Sequence, residues 1–219
     1  MTPGPDSRAA RKMNALLERE RELWEAGIER VAGVDEAGVG PLAGPVVAAA
    51  VVFPSGCGIL GVNDSKVLEP ERREALAAAI RERAIAFAVS VVEADEIDRI
   101  NVYQATLQAM ARALAALNLR PQHVLVDARR IPGCDIPQEA IIKGDARCHA
   151  IAAASILAKT TRDALMRGYG ATYPGYGFAE HKGYCTEAHR NAIRRLGPCA
   201  IHRRSFTLLP APTLWDGSR

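Results

Sequence analysis

The sequence predicts an α/β protein, in which a three-layer domain with a mixed central sheet flanked by helices is followed by a small helical C-terminal extension. Two observations support this fold class. Short apolar runs rich in β-branched residues alternate with longer segments of helical periodicity. The 219 residues are also 48% hydrophobic and 24% charged, a composition that is typical of globular proteins and excludes a disordered or collagen-like chain.

The first predicted elements are a helix and two strands. Residues 1–10 are rich in proline, glycine, serine and alanine and are expected to fray, and an amphipathic helix containing Leu23 and Trp24 follows them. Residues 30–35 and 45–53 are predicted to be neighbouring strands, because a stretch rich in glycine and proline separates two β-branched runs.

The middle of the chain predicts a helix, a strand and a second helix. A polar loop over residues 54–67 leads to a predicted helix at 69–83 and a third strand at 84–92. From residue 94 to residue 117, apolar side chains recur every three or four positions. This spacing predicts one long helix that packs one face on the core.

The last third predicts two more strands and two helices. The fourth and fifth strands are expected at 123–128 and 139–145. A helix over 149–169 is rich in small residues, which suits close packing on a sheet. A loop of tyrosine, glycine and proline at 169–184 and a short basic helix at 185–196 precede an extended tail.

These elements divide the chain into an N-terminal helical extension (1–29), a central α/β domain (30–169) and a C-terminal loop and helical extension (170–219). The formal net charge is only +3. Residues 181–206, however, carry six basic residues and one acidic residue. This segment could meet phosphates, although a solvated helix face is the simpler explanation of charge alone.

The cysteine pattern and the hydropathy indicate a cytoplasmic protein. The five cysteines are odd in number and contain no C-x-x-C pair, so neither a disulfide framework nor a zinc ribbon is indicated. The longest weakly polar run, 43–54, is too short to span a bilayer, and the N-terminus lacks the apolar region of a signal peptide. We expect neither membrane anchoring nor secretion, and we expect residues 208–219 to fray.

Four acidic residues lie at the ends of apolar runs that should be buried: Asp35, Glu36, Asp127 and Asp145. In open α/β sheets, ligands gather at the carboxyl ends of the strands. A buried acidic cluster raises its own pKa values unless cations neutralise it, and oxygen-only ligands select Mg²⁺ or Mn²⁺ rather than zinc. The pattern alone leaves open that these acids simply meet solvent at four strand ends.

One geometric objection concerns the adjacent pair Asp35 and Glu36. Neighbouring residues on a regular strand point to opposite faces, so both carboxylates could not face one site. We therefore expect the strand to end or bend there, which Gly38 and Gly40 would permit through backbone conformations that other residues avoid.

Several long blocks of the sequence are specific enough to identify a family. In chain order they are VAGVDEAGVGPLAGPVVAAAVV (31–52), GVNDSKVL (61–68), INVYQATLQAM (100–110), VLVDA (124–128), KGDARCHAIAAASILAKTTRD (143–163), YPGYGFAEHKGYCTEAH (173–189) and GPCAIHRRSF (197–206). Together they make the chain, over about residues 13 to 209, resemble bacterial ribonuclease HII.

This resemblance implies an RNase H-like fold, with residues 30–169 as the catalytic domain and residues 170–219 binding substrate. It implies ribonuclease H activity on RNA/DNA hybrids and on single ribonucleotides embedded in duplex DNA, 5′ of the ribonucleotide, as part of ribonucleotide removal in replication and repair. The products would carry a 3′-hydroxyl and a 5′-phosphate, and the enzyme would act as a monomer. The family's catalytic acids fall on Asp35, Glu36, Asp127 and Asp145, which would hold two Mg²⁺ or Mn²⁺ ions.

The resemblance also implies substrate-binding residues. Lys66 would contact a phosphate, Tyr184 would stack on the sugar after the ribonucleotide, and Lys182 with the basic tail would hold the backbone. Gly38 and Gly40 would offer main-chain groups to the 2′-hydroxyl, which distinguishes RNA from DNA. Simpler alternatives stay open: Lys66 as a loop cap, and Tyr184 as an aromatic lid on the core.

The sequence departs from the family pattern at Val39, where the family usually has the arginine of a Gly-Arg-Gly motif. Valine supplies no cation to a phosphate, so we expect lower affinity and a less sharp junction preference. One alternative is therefore a hybrid-binding protein with weakened catalysis, and another is a broader nuclease or phosphoryl transferase. A smaller departure is His149, which we expect to lie on the surface at a helix N-terminus.

Overall fold

The computed structural model describes residues 5–209, with side chains from residue 9 onward. The expectations for residues 1–4 and for the tail beyond residue 209 lie outside this part. In the described part, no helix has the length and apolar character that crossing a membrane would require.

The described chain forms five strands and eight α-helices. The strands are β1 (Val31–Ala37), β2 (Val46–Val52), β3 (Ala86–Val92), β4 (His123–Asp127) and β5 (Gln138–Ile141). The helices are α1 (Pro5–Leu16), α2 (Glu18–Glu25), α3 (Pro70–Arg83), α4 (Ala94–Ile100), α5 (Val102–Ala115), α6 (His149–Thr172), α7 (Phe178–His181) and α8 (Glu187–Leu196).

The strands form one mixed sheet in the order β3-β2-β1-β4-β5. β1 pairs with β4 and β4 pairs with β5 in parallel, whereas β2 is antiparallel to both β1 and β3. The carboxyl ends of β1, β4 and β5 therefore meet at one edge of the sheet. The predicted α/β class with a mixed, helix-flanked sheet is confirmed.

Helices cover both faces of the sheet. Val46, Ala48 and Ala50 of β2 belong to a core cluster with α5, and the alternate residues Val47 and Ala49 pack instead with α3 and α6. This alternation buries β2 on both faces, so the sheet is the middle one of three layers.

Gly33 allows the first turn of α6 to lie directly on β1. A Cβ atom added at Gly33 would come within 2.1 Å of the carbonyl carbon of Ala150 and 2.4 Å of the amide nitrogen of Ile151. Any larger residue would push the helix away from the strand. The contact holds α6 against β1 close to Asp35.

Two helix predictions are wrong in their bounds. The N-terminal helix begins at Pro5, so residues 5–10 do not fray, and α1 and α2 are separated at Leu17. The predicted helix over 94–117 is divided at Asn101, which has a φ of +69° and whose side chain caps α5 by accepting the N–H of Gln104 at 3.0 Å. A positive φ is uncommon for residues other than glycine, and it interrupts the helix at this point.

The fifth strand is also shorter than predicted. It ends at Ile141, and Lys143 adopts a left-handed conformation before a 3-10 turn over Gly144–Ala146. Asp145 therefore lies on this turn and not at a strand end. Further along, α6 continues to Thr172, and the predicted loop after it contains the short helix α7.

The two predicted extensions both pack on the central part of the chain. Leu23 of α2 joins a cluster with Val31, Leu125 and Ile141. The C-terminal segment forms another cluster around Phe178, which contains Ala43, Met166, Tyr176, Ala192 and Ile201. The domain boundaries at residues 29/30 and 169/170 stay a prediction.

Candidate active site

Three of the four predicted acids converge at the carboxyl edge of the sheet. Asp35 and Glu36 lie near the end of β1, and Asp127 is the last residue of β4. One carboxylate oxygen from each lies within 4.8 Å of the other two. The parallel pairing of β1 and β4 produces this convergence, because it ends both strands at the same edge.

β1 does not end between Asp35 and Glu36, so the expectation that the strand ends there is wrong. β1 continues in register with β2 through Ala37, but its pairing with β4 stops at Val34. No β4 residue pairs with Glu36, and a carboxylate oxygen of Glu36 reaches the same site as one of Asp35. The N–H of Glu36 donates to the Asp35 Oδ1 at 2.7 Å, which fixes the Asp35 carboxylate.

The site is electrostatically unfavourable to three carboxylates without a cation. Burial raises the pKa of Asp35 well above its usual range, the charges of Glu36 and Asp127 raise it further, and the Ser155 hydroxyl opposes the shift. Burial likewise raises the pKa of Glu36 and of Asp127. Arg129 counters this at Glu36, with its Nη1 3.3 Å from the Glu36 Oε1.

The donor set fits a hard divalent cation. The Glu36 Oε2 is buried and has no hydrogen-bond partner among the described residues. A buried carboxylate oxygen without a partner is costly, and a bound cation would satisfy it. Because all the candidate ligand atoms are carboxylate oxygens, they suit Mg²⁺ or Mn²⁺. Their assignment as metal ligands stays a prediction.

Asp145 lies apart from these three acids and is paired with Lys66. Its Oδ2 is 3.2 Å from the Lys66 Nζ, which also lies 4.0 Å from Asp64. Its charge still contributes to the raised pKa of Asp127, after burial as the main cause. Lys66 is not the loop cap, because the Asp64 side chain accepts the N–H of Lys66 and caps that 3-10 turn.

Apart from Lys66, the predicted substrate-binding residues lie on two segments that contact each other. Leu42, in the loop after Gly38, Val39 and Gly40, donates its N–H to the Gly183 carbonyl oxygen at 2.9 Å. Lys182 and Tyr184, on either side of Gly183, belong to the second segment.

Tyr184 and Lys182 differ in how their side chains are placed. The Tyr184 ring is 45% exposed, and the Nζ of Lys159 and the guanidinium carbon of Arg162 each lie 5.9 Å from its centre. The Lys182 ammonium donates to the Ala179 carbonyl, and Lys182 itself adopts a left-handed conformation. The tyrosine therefore presents an accessible aromatic face bordered by two cations.

Sequence reasoning missed the residues that support the acids. Arg129 pairs with Glu36, Ser155 of α6 acts on Asp35, and the Gly144 N–H donates to the Asp127 Oδ1 at 2.7 Å. Arg129 follows Asp127 closely, so a basic residue just after a predicted site acid was an available signal. Ser155 carried no local signal, because only the packing of α6 on β1 brings it to the site.

The expectation for His149 is wrong in one respect. It is the first residue of α6, as predicted, but only 1% of it is exposed. Its Nε2 accepts the N–H of Ile59 at 3.0 Å, and burial lowers its pKa to about 4. A neutral, buried His149 is therefore a core residue that fixes the loop before α3.

Comparisons with known proteins agree with the family resemblance. The protein-family model described as Ribonuclease HII matches residues 32–209. "Ribonuclease HII" of Myxococcus xanthus is 57% identical over 196 residues, which cover 89% of this chain and 67% of that protein. "Ribonuclease HII" of Moorella thermoacetica is 54% identical over 195 residues, which cover 89% of this chain and 95% of that protein.

Solved structures agree on the fold. The ribonuclease H2 from Pyrococcus horikoshii OT3 superposes with a TM-score of 0.70 at 29% identity, over 82% of this chain and 94% of that chain. The RNase HII in the PCNA:RNase HII complex from Archaeoglobus fulgidus gives a TM-score of 0.68 at 26% identity, over 86% of this chain and 100% of that chain. The predicted RNase H-like fold is confirmed.

Proposed function

This chain belongs to the ribonuclease HII family, and on that premise we propose that it cuts the RNA strand of RNA/DNA hybrids and single ribonucleotides embedded in duplex DNA. The observation that carries the proposal is the convergence of Asp35, Glu36 and Asp127, with one oxygen of each within 4.8 Å of the others. Buried acids that repel one another are costly unless they serve a bound cation. Phosphodiester hydrolysis is a reaction that such an arrangement serves.

We assign two Mg²⁺ or Mn²⁺ ions to Asp35, Glu36, Asp127 and Asp145. When bound, two such ions activate an attacking water and stabilise the leaving oxygen. The residues around them keep the ligands in place before the ions arrive. Arg129 holds Glu36, the Gly144 N–H holds Asp127, and the Glu36 N–H holds Asp35.

The cut lies on the 5′ side of the ribonucleotide and leaves a 3′-hydroxyl and a 5′-phosphate. Gly38 and Gly40 present main-chain groups to the 2′-hydroxyl, and Val39 between them contributes no charge. The exposed ring of Tyr184 stacks on the following sugar, where an added hydroxyl would disturb the contact. Lys66, whose side chain is 75% exposed, and Lys182 with the basic tail hold phosphates.

The deciding experiment compares three labelled substrates: a DNA duplex with one ribonucleotide, an all-DNA duplex and a long RNA/DNA hybrid. Each is incubated with Mg²⁺, Mn²⁺ or EDTA, and the Asp35→Asn variant is the matched control. We expect metal-dependent cutting of the two ribonucleotide-containing substrates and none of the all-DNA duplex. Binding without cutting would instead identify a hybrid-binding protein, and cutting of all-DNA duplex a broader nuclease.

We further propose that the protein works as a monomer in the cytoplasm, in ribonucleotide removal during replication and repair. The Archaeoglobus relative was solved in a complex with PCNA. Light scattering of the purified protein, alone and with a sliding clamp, tests the monomer. A stable dimer of the protein alone would contradict it.

A further inference from the structure

Two buried arginines lie beneath the loop that joins β1 to β2. Arg162 of α6 is 1% exposed and Arg203 of the C-terminal segment is 0% exposed. The six hydrogen bonds found for their guanidiniums all go to main-chain carbonyls. Neither arginine forms an ion pair with any residue between 9 and 209.

Arg203 binds three carbonyls of the same loop. Its Nη2 donates to Gly38 at 2.5 Å, its Nη1 to Val39 at 2.9 Å and its Nε to Gly44 at 3.0 Å. One rigid guanidinium therefore sets the relative positions of the two ends of the loop. The main chain of Arg203 is bonded to the same loop, because its N–H donates to the Leu42 carbonyl oxygen at 2.9 Å.

Arg162 joins the loop to the segment that carries Tyr184. Its Nε and Nη2 donate to Pro45 and Ala43 at 2.9 and 3.1 Å, and its Nη1 donates to Lys182 at 3.1 Å. The two segments touch so closely that a Cβ atom at Gly183 would lie 2.4 Å from the Ala43 carbonyl oxygen. The loop and the segment thus form one unit.

A purely structural role does not account well for two buried charges. Burying a guanidinium without a carboxylate partner carries a desolvation penalty, and apolar residues of similar volume stabilise a core without it. Burial and the like charge of Arg162 lower the pKa of Arg203 to about 9, which leaves it cationic at neutral pH. The charge of Asp98 favours the cationic form of Arg203, and the charge of Asp163 favours that of Arg162.

We infer that Arg162 and Arg203 are positioning residues for substrate recognition: they hold the loop 38–45 and the segment 182–184 in one fixed arrangement before the duplex binds. The inference rests on the proposed function, in which these segments contact the ribose and the next sugar. Preorganised groups lose less conformational entropy on binding and place the scissile phosphate accurately. The side chain at position 39 is not required for the shape of the loop.

The test measures preference for ribose without cleavage. Dissociation constants are determined in EDTA for a duplex with one ribonucleotide and for the same duplex made only of DNA. Arg203→Lys and Arg162→Lys are compared with Arg167→Lys, an exposed α6 arginine that pairs with Glu74 at 3.2 Å. We expect the ratio of the two dissociation constants to fall at least about fivefold in each buried variant. In separate cleavage assays with Mg²⁺, kcat should fall about tenfold, since small misplacements are costly.

The outcomes separate positioning from mere folding. Affinity for the all-DNA duplex should change by less than about threefold, because phosphate contacts supply it, and Arg167→Lys should match the wild type throughout. A folded Arg203→Lys protein that keeps the ribose preference and kcat would overturn the inference. A wild type without any ribose preference would contradict the proposed 2′-hydroxyl contact instead.

A measurement on the wild-type protein decides the case if the variants do not fold or if the wild type shows no ribose preference. The N–H groups of Leu42 and Gly44 donate to the carbonyls of Gly183 and Ile201 at 2.9 and 2.8 Å. A preformed loop predicts that both amides exchange with solvent as slowly in the free protein as amides of the sheet. Fast exchange that slows only when the ribonucleotide duplex is added would refute preorganisation.

Discussion

The ammonium of Lys66 lies 3.2 Å from the carboxylate of Asp145, so a protein cation balances the one acid of the site that stands apart. Burial lowers the pKa of Lys66, but the carboxylates of Asp145, Asp64 and Asp35 together outweigh burial, so the pKa is raised. Within residues 9–209, no lysine lies within 4.0 Å of the carboxylates of Asp35, Glu36 or Asp127, and these three acids face one another. The site therefore combines a neutralised edge with a strongly anionic centre.

Lys66→Gln should weaken duplex binding and reduce its salt dependence. If Lys66 also contacts a phosphate, the variant releases fewer counterions when it binds the duplex. The slope of the logarithm of the binding constant against log salt should then fall in magnitude by about 0.9. Fluorescence anisotropy between low and moderate salt measures the slope. Lys12→Gln, an exposed lysine on α1, is the matched control, and equal slopes for the two variants would contradict the prediction.

Asp35→Asn should abolish cleavage and leave the fold intact. Loss of a central catalytic group lowers kcat by about a thousandfold or more. The variant should also unfold at a higher temperature than the wild type in EDTA, because it removes a buried charge that Glu36 and Asp127 repel. Calorimetry with and without Mg²⁺ checks this: Mg²⁺ should raise the wild-type Tm by more than that of the variant. Retained activity would disprove the assigned mechanism.

Val39→Arg should tighten duplex binding without changing the preference for ribose. This differs from the less sharp junction preference expected from the sequence, because the proposed 2′-hydroxyl contacts are made by main-chain groups. The added cation should increase the magnitude of the salt slope by about 0.9, while Arg203 and Arg162 continue to hold the loop. Val39→Gln, which adds a long side chain without a charge, is the matched control. A large gain in ribose preference with arginine alone would show that the side chain at position 39 reads the sugar directly.

Glu20→Gln should flatten the dependence of stability on pH. Glu20 of α2 is 2% exposed, its Oε1 accepts the N–H of Ala150 at 2.8 Å, and burial raises its pKa to about 7. The folded state therefore favours the protonated carboxyl. The contribution of Glu20 to the free energy of unfolding should be largest below the ordinary pKa of 4.5. It should fall as the pH rises to about 7, by up to about 3 kcal/mol.

Urea unfolding at pH 5, 6, 7 and 8 compares the two proteins. The other buried acids act equally in both, so the difference between the curves isolates Glu20. The variant keeps an acceptor for the Ala150 N–H and should be the more stable protein at pH 8. Parallel curves would mean that Glu20 is already charged in the folded protein at low pH.

Gly33→Ala should destabilise the fold strongly. The new methyl group would lie 2.1 Å from the Ala150 carbonyl carbon, where neither the strand nor the helix backbone can yield easily. We expect a loss of about 3 kcal/mol or more, at the upper end of overpacking effects. Gly168→Ala on α6, with no atom near its Cβ position, should instead raise the Tm slightly. Equal unfolding curves for the two variants would contradict the prediction.

The sequence by itself determined the elements of the sheet and three of the acids at its edge. Runs of apolar β-branched residues specify strands locally, and Asp35, Glu36 and Asp127 follow such runs directly. The differences between the predicted and the observed elements were local too, because a single backbone conformation decided each of them. Asn101 divides a helix that periodicity alone predicts as continuous, and Lys143 ends the last strand before Asp145.

Tertiary structure decided which distant groups meet. The pairing of Lys66 with Asp145 and the carbonyls bound by Arg162 and Arg203 join residues that are far apart along the chain. Periodicity reports only which side of its own element a residue occupies. A buried guanidinium among carbonyls, or a serine beside Asp35, depends on how helices and loops pack on the sheet, because hydrogen bonds require both partners within about 3 Å.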